Sequence, residues 1–352
     1  MKKIQCALFV FLFCFCLYAE PVNVFILAGQ SNMQGSGKIS TLPHMAMDHE
    51  TKTLHDRIYN EGNYYSNPKV RIAAISESRG QKRELKSGPL SIGYGVNLRS
   101  VDTCGPELAF GITMFESLKA PILIIKTAWG GKSLYNDFRP PSSGSFSHVN
   151  KKNLTSTGHY YREMISFVNE VIDNLADYHP DYDEKSGYKL GGFAWFQGWN
   201  DMVDSTVYPN RNQVGGYDRY TENLGYFIRD VRKEFKSPDL PFAIGIMGVG
   251  GPTKYYKKDQ LRYKNIHQYF RDAMAATASE PEFKNKVHAV FTEKFWPIKI
   301  SDISKKKKES LSKEEKSLLQ IGKSNAAYHY MGSLKCFSQI GQALAEAISH
   351  SR

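Results

Sequence analysis

Six short apolar runs, separated by amphipathic helical stretches, set the strongest limit on how this 352-residue chain can fold. The runs are Val22–Leu27, Val70–Ile75, Ile122–Lys126, Gly192–Phe196, Phe242–Met247 and Val287–Thr292. They are rich in Val, Ile and Phe and nearly continuous in apolarity, as strands buried on both faces are. Helices are predicted between them. One runs from Pro106 to Leu118, with Pro at a suitable first helical position. Tyr160–Asp177, Asp218–Phe235 and Leu261–Ala276 follow. The last, Ser333–Ile348, sets Leu334, Phe337, Ile340, Leu344 and Ile348 three and four residues apart, which makes one apolar face. The alternation predicts an α/β fold, a mostly parallel sheet with helices on both sides. The connections at 32–68, 76–104, 127–156 and 293–328 are long, polar and rich in Gly, Ser, Pro and Tyr, as functional loops are. No linker and no internal repeat divides the chain, so one elaborated domain is expected over residues 20–352.

Residues 1–19 read as a signal peptide. Lys2 and Lys3 form a positive start, residues 6–18 an apolar stretch too short to span a membrane, and Ala19 a small residue suited to cleavage. A secreted or periplasmic protein is expected, with no membrane span after removal of the signal and no need for more than a monomer. Three of the five cysteines leave with the signal. Cys104 and Cys336 remain, too few for a disulfide scaffold but able to form one bridge. The formal net charge of +11 is not gathered into one stripe. Its densest run, Lys305–Lys308, sits among Glu309, Glu314 and Glu315 and reads as a solvated insertion. No nucleic-acid module accompanies it, and weak attraction to an anionic glycan suits it better.

Four motifs carry chemistry, three of them directly after predicted strands, where open parallel sheets bind ligands. Gly29-Gln30-Ser31-Asn32-Met33 sets a serine in a tight turn whose amides can receive an oxyanion. Its fifth residue is Met, so it is not the G-x-S-x-G elbow. Thr127-Ala128-Trp129-Gly130-Gly131-Lys132-Ser133 allows close backbone approach to a ligand at Gly130 and Gly131. It lacks the leading glycine of a phosphate loop, Lys126 standing in that place. Trp195-Phe196-Gln197-Gly198-Trp199-Asn200-Asp201 offers the amides of Gln197 and Asn200 as donors to a developing oxyanion. Tyr328-His329-Tyr330 precedes the last helix. A serine is unreactive until a base takes its proton, so Ser31 and His329 must meet in the fold for nucleophilic catalysis. Metal ligation is not signalled, because there is no H-E-x-x-H or paired-Cys motif, and His44, His49 and His55 fit no single helix face.

Together these segments resemble the SGNH (GDSL-type) hydrolase superfamily, and within it the sialate O-acetylesterase / acetylxylan esterase branch of carbohydrate esterases. Gly29–Met33 resembles the first block. Gly105-Pro106-Glu107 resembles the helix-opening block, Ala128–Gly131 the Trp-Gly-Gly loop, and Gln197–Asp201 the Gln-Gly-Glu-x-Asp block. His329 with its following helix resembles the last block. The resemblance implies a three-layer α/β/α sandwich with a flavodoxin-like sheet and an esterase needing no metal or organic cofactor. It implies Ser31 as nucleophile and His329 as general base. It implies an oxyanion hole from the Ser31 amide, Gly130 and an amide side chain, Gln197 in preference to Asn200. Gln30, Trp129 and Trp199 are expected in the substrate pocket, and the partner is an acetylated sugar or glycan. Two departures stand out. The superfamily's Asp three residues before the His is Ala326 here, with Asn325 beside it, so a backbone carbonyl near Ala326–Ala327, or Asp201, Glu107 or Glu293 from another loop, could orient the imidazole. Trp199 stands where the branch has Glu. These departures keep two alternatives open, a catalytically degenerate glycan-binding protein on the same scaffold and an esterase for non-carbohydrate esters.

Overall fold

The computed structural model describes residues 20–77, 83–144 and 157–351. The expected signal segment lies outside them. Seven strands form the main sheet: β1 (Val22–Gly29), β2 (Val70–Glu77), β3 (Arg83–Pro89), β4 (Ile122–Ala128), β5 (Tyr188–Phe196), β6 (Phe242–Ile246) and β7 (Val287–Phe291). Their order is β7-β6-β5-β1-β4-β2-β3, and all pairings are parallel except β2 with β3. Strands β4-β1-β5-β6-β7 alone have the flavodoxin-like order, with β2 and β3 added at the β4 edge. Every residue of β1 and β4 is buried, which explains why both read as nearly continuous apolar runs.

All six sequence-predicted strands are present. The seventh, β3, reads Arg-Glu-Leu-Lys-Ser-Gly-Pro and is largely exposed. It is an edge strand with little to bury, so it carries no apolar signal. The predicted helix over 160–177 breaks at Asn174, giving α3 (His159–Asp173) and a separate turn Leu175–Tyr178. The Asn174 side chain donates to the Glu170 carbonyl (2.8 Å), the acceptor its own helical N–H would use. The other long helices are α2 (Glu107–Leu118), α5 (Asp218–Glu234), α6 (Lys264–Ala278) and α7 (Leu334–Ser349); α1 (Ser31–Gln34) and α4 (Trp199–Val203) are short.

The two layers can be read from adjacent residues of β5. A Cβ on Gly192 would press on Ile348 of α7, whereas the Phe193 ring lies 5.9 Å from Phe227 of α5, edge to face. Helices α2 and α7 pack together on the first face, where Phe110 meets Phe25 of β1 at 5.6 Å. Helices α3, α5 and α6 cover the other, with Tyr161 and Trp195 both against Phe227. In α7 the predicted residues Leu334, Phe337, Ile340, Leu344 and Ile348 are all buried. Cys104 and Cys336 are both buried and unpaired, so no bridge joins them. Lys305–Lys308 is exposed and leads into a separate helix, Lys313–Gly322. Among the described residues no helix is long and apolar enough to cross a membrane.

Candidate active site

Three adjacent strands, β4, β1 and β5, end on turns that meet at the carboxyl edge of the sheet, where the strand order reverses. At the end of β1, Gly29 lies so close to β5 that a Cβ would overlap the Phe196 carbonyl. Gln30 N–H donates to that carbonyl (3.3 Å), and the Gln30 carbonyl closes the turn by accepting from Met33 and Gln34 N–H (2.8 and 2.9 Å). Ser31 opens α1 there, partly exposed. Its N–H is one of the orphan donors of a helix start and reaches no acceptor among the described residues. The Gly130 N–H, in the turn after β4, is equally free. The two turns are close, for a Cβ on Gly130 would lie 3.9 Å from the Ser31 Cβ.

The turn after β5 is fixed by amide side chains. Gln30 is buried, and both ends of its amide are used. Its Oε1 accepts from Gly198 N–H (3.0 Å) and Asn200 N–H (3.3 Å), and its Nε2 donates to Asn200 Oδ1 (3.0 Å). Asn200 Nδ2 donates to the Gly131 carbonyl (2.9 Å) and stays partly exposed, with a second hydrogen to give. Gln30 thus braces the β1 and β5 turns and is not the pocket-lining side chain expected from sequence. Gln197 is also corrected. It is buried, and its Nε2 points inward to Asp201 Oδ2 (2.6 Å) and the Lys132 carbonyl (3.1 Å). Of the two amides, Asn200 is the one facing the open side.

His329 lies in the turn over 327–332, which packs against α1. Asn32 Nδ2 ties the two together by donating to the Tyr328 carbonyl (3.1 Å). The imidazole Nδ1 lies 3.1 Å from Asn325 Oδ1. That same oxygen accepts from Ala326 N–H (2.7 Å), which identifies it as the carbonyl end of the amide. Nδ1 therefore carries the proton, and Nε2 keeps the lone pair of a base. Burial lowers the His329 pKa from its ordinary value, so the ring is neutral at pH 7. Neither Ser31 Oγ nor His329 Nε2 makes a hydrogen bond among the described residues, so the two side chains do not bond each other in this geometry. Catalytic bonds often tighten only on binding substrate.

The carboxylates offered by the sequence lie elsewhere. Asp201 is buried and accepts from Leu134 N–H (2.7 Å), Tyr135 N–H (3.0 Å), Gln197 and the Tyr208 hydroxyl (3.2 Å). It holds the β4 loop to the β5 turn, and burial pushes its pKa up to about 6 against those donors. Glu107 is buried against Lys126, and Glu293 pairs with buried Arg271. None of the three touches His329. Trp129 is buried among Phe138 and Tyr160, ring centroids 5.9 and 5.2 Å away, and only edges a cleft of about 660 Å³ beside Gly130. Trp199 is partly exposed, and its ring lies 5.7 Å from that of Tyr328, tilted 32°. Tyr328, named in the sequence only as the neighbour of His329, joins Trp199 beside the imidazole.

A family profile described as carbohydrate esterase, sialic acid-specific acetylesterase matches residues 21–291. A protein of Arabidopsis thaliana described as a probable carbohydrate esterase is 22% identical over 248 residues, which span 69% of this chain and 76% of its own. An X-ray structure of an Arabidopsis thaliana protein aligns at 18% identity with a TM-score of 0.46, over 94% of this chain and 98% of that one. A carbohydrate acetylesterase from Xanthomonas citri gives 15% and 0.46 over 93% and 56%. NanS gives 16% and 0.44 over 77% and 78%. The profile spans well over half of the sequence, and the chain belongs to the sialic acid-specific acetylesterase family of carbohydrate esterases.

Proposed function

We propose that this chain is an exported carbohydrate O-acetylesterase that works through an acetyl-serine intermediate. Ser31 Oγ attacks the acetyl carbonyl carbon while His329 Nε2 takes its proton. The oxyanion rests on the Ser31 and Gly130 N–H groups and the second Nδ2 hydrogen of Asn200. When the intermediate collapses, the bond to the sugar oxygen breaks and His329 returns the proton to that oxygen. Water, deprotonated by the same imidazole, then attacks the acetyl-Ser31 carbonyl, the Oγ–carbonyl bond breaks to release acetate, and the imidazolium returns the proton to Ser31 Oγ. Asn325 holds the Nδ1–H and so keeps the imidazole in the competent tautomer. Trp199 and Tyr328 stand beside the base as an aromatic wall suited to the apolar face of a sugar ring.

The observation that carries this reading is the gathering of unspent donors around the Ser31 turn: the Ser31 and Gly130 amides and the second Nδ2 hydrogen of the partly exposed Asn200, next to a turn carrying a neutral imidazole. The test is hydrolysis of 4-nitrophenyl acetate and of O-acetylated sugars by the chain lacking residues 1–19, beside Ser31→Ala and His329→Ala. Activity that falls by about 10³-fold or more in both variants is expected. Equal rates in all three proteins would refute the reading. The unbonded Ser31 and His329 side chains and the amide in place of a carboxylate favour one second reading, a glycan-binding protein without turnover. It predicts saturable sugar binding that Ser31→Ala leaves intact.

A further inference from the structure

Lys126 is the residue that spoiled the phosphate-loop pattern, and it is one of the few buried cations among the described residues. It lies near the end of β4, two residues before that strand stops. Its ammonium has three hydrogens, and all three are used: on the Gln34 carbonyl (2.7 Å), the Tyr94 carbonyl (2.6 Å) and Glu107 Oε2 (2.7 Å). Gln34 is the last residue of α1, the turn that begins with Ser31. Glu107 uses its other oxygen to accept from Gly105 N–H (2.8 Å). Gly105 packs directly on Gly35, where a Cβ would overlap it. Gly35 accepts from Val96 N–H (2.7 Å), and Val96 and Asn97 line the cleft beside Gly130.

A buried ion pair is a costly way to fill space, since apolar residues of the same volume are often as stable. The carbonyls of Gln34 and Tyr94 need a donor at this point, and the cation meets both at once. Resting on the acyl-transfer reading above, we propose that Lys126, paired with Glu107, is a positioning residue. It locks the C-terminal end of the Ser31 turn to the 94–97 cleft wall and so sets where the Ser31 Oγ stands relative to Gly130 and the acyl group. Misplacing a reacting atom by about 1 Å costs roughly a hundredfold in rate.

The experiment compares Lys126→Met/Glu107→Gln, which removes both charges, with Glu107→Asp, which shortens the carboxylate by one methylene. The readouts are melting temperature, kcat and KM for 4-nitrophenyl acetate, and the rate at which a fluorophosphonate labels Ser31. The double variant is expected to fold, to lose about ten- to a hundredfold in kcat and in labelling rate, and to keep KM within about twofold. Glu107→Asp is expected to lose severalfold in the same two rates. If either folded variant loses stability yet keeps kcat and labelling rate within twofold of the parent, the pair serves the fold alone and the proposal is overturned. If the double variant does not fold, Glu107→Asp decides by the same criterion. A parent that neither hydrolyses nor labels refutes the acyl-transfer reading itself, and the positioning role falls with it.

Discussion

Replacing Asn325 by Asp is the most informative single change to this site. Asn325 Oδ1 lies 3.1 Å from His329 Nδ1, and the backbone N–H of Ala326 pins that oxygen. Asp at 325 keeps the acceptor and adds a negative charge beside the imidazole. Two unit charges at about 4 Å attract by about 4 kcal/mol in a medium of effective dielectric near 20. The side chain is only partly buried, so solvent screening and the carboxylate's own desolvation reduce the net gain to roughly 1–3 kcal/mol. That corresponds to about five- to 150-fold in kcat/KM, because the imidazolium formed in the transition state is what the charge stabilises. The pH profile shifts with a definite sign. Burial lowers the His329 pKa, so in the parent the ring stays neutral, and the acid limb of kcat/KM falls below the ordinary histidine value of 6.5. Opposite charge favours the protonated ring, so in Asn325→Asp the limb moves up while the plateau above it rises. Initial rates on 4-nitrophenyl acetate from about pH 4 to about pH 8 read both quantities, with Asn325→Ala as the control that lacks any acceptor. An unchanged acid limb in Asn325→Asp would refute the argument, since it would mean that residue 325 does not face the imidazole or that His329 is not the base.

Two other changes test the supports of the site. Tyr330→Phe removes the hydroxyl that accepts from Gly248 N–H (2.7 Å) and bonds Thr292 Oγ1 (2.5 Å), stranding a buried donor; a loss of about 1–3 kcal/mol in denaturant titration is expected, with kcat lowered more than KM because His329 is its chain neighbour. Asp201→Asn removes a carboxyl whose folded pKa, about 6, lies above its unfolded value of 3.8. The folded state therefore holds that proton more tightly, so this group's contribution to stability falls as pH rises from about 4 to about 6. The Asn variant is expected to lose this slope in melting temperature against pH. It should also be less stable throughout, since an amide cannot accept all four of the donors that Asp201 satisfies.

What the sequence revealed and what it concealed divide along physical lines. Strands β1, β4, β5 and β6 are buried on both faces, so their apolar runs announced them, and α7 announced itself through a face that repeats every three or four residues. β3 is an exposed edge, and its pairing with β2 leaves no trace in hydropathy. The break at Asn174 depends on one side-chain hydrogen bond within an otherwise helical pattern. At the site, Ser31, Gly130 and the amide block were legible because each follows a strand, and parallel strands bring their carboxyl ends together. Which amide faces the opening was not legible. Gln197 and Asn200 are three residues apart in one turn, and only the buried partners Asp201 and Gln30 decide that Gln197 points in and Asn200 points out. The same holds for Asp201 and Glu107, whose charges are consumed by groups more than sixty and nearly twenty residues away.

The absent aspartate and the backbone around His329 belong to one device. Tyr330, Met331 and Gly332 follow His329 with φ of 48°, 59° and 60°, a run of left-handed residues that only Gly adopts without strain. Such a run persists only where tertiary contacts over-determine it. Here the Met331 carbonyl accepts from both Ser324 N–H (2.7 Å) and Asn325 N–H (2.9 Å), and the buried Tyr330 hydroxyl anchors the other side to Gly248 and Thr292. The turn thereby folds back onto the residues that precede it. The Ala326 carbonyl is taken by His329 N–H (3.1 Å), so position 326 closes the turn and position 325 reaches the ring. The position three residues before the histidine serves the backbone in this chain, and the imidazole is oriented from four residues away. The orienting group is therefore an amide oxygen fixed by strain and by Ala326 N–H. This arrangement secures the tautomer without adding charge.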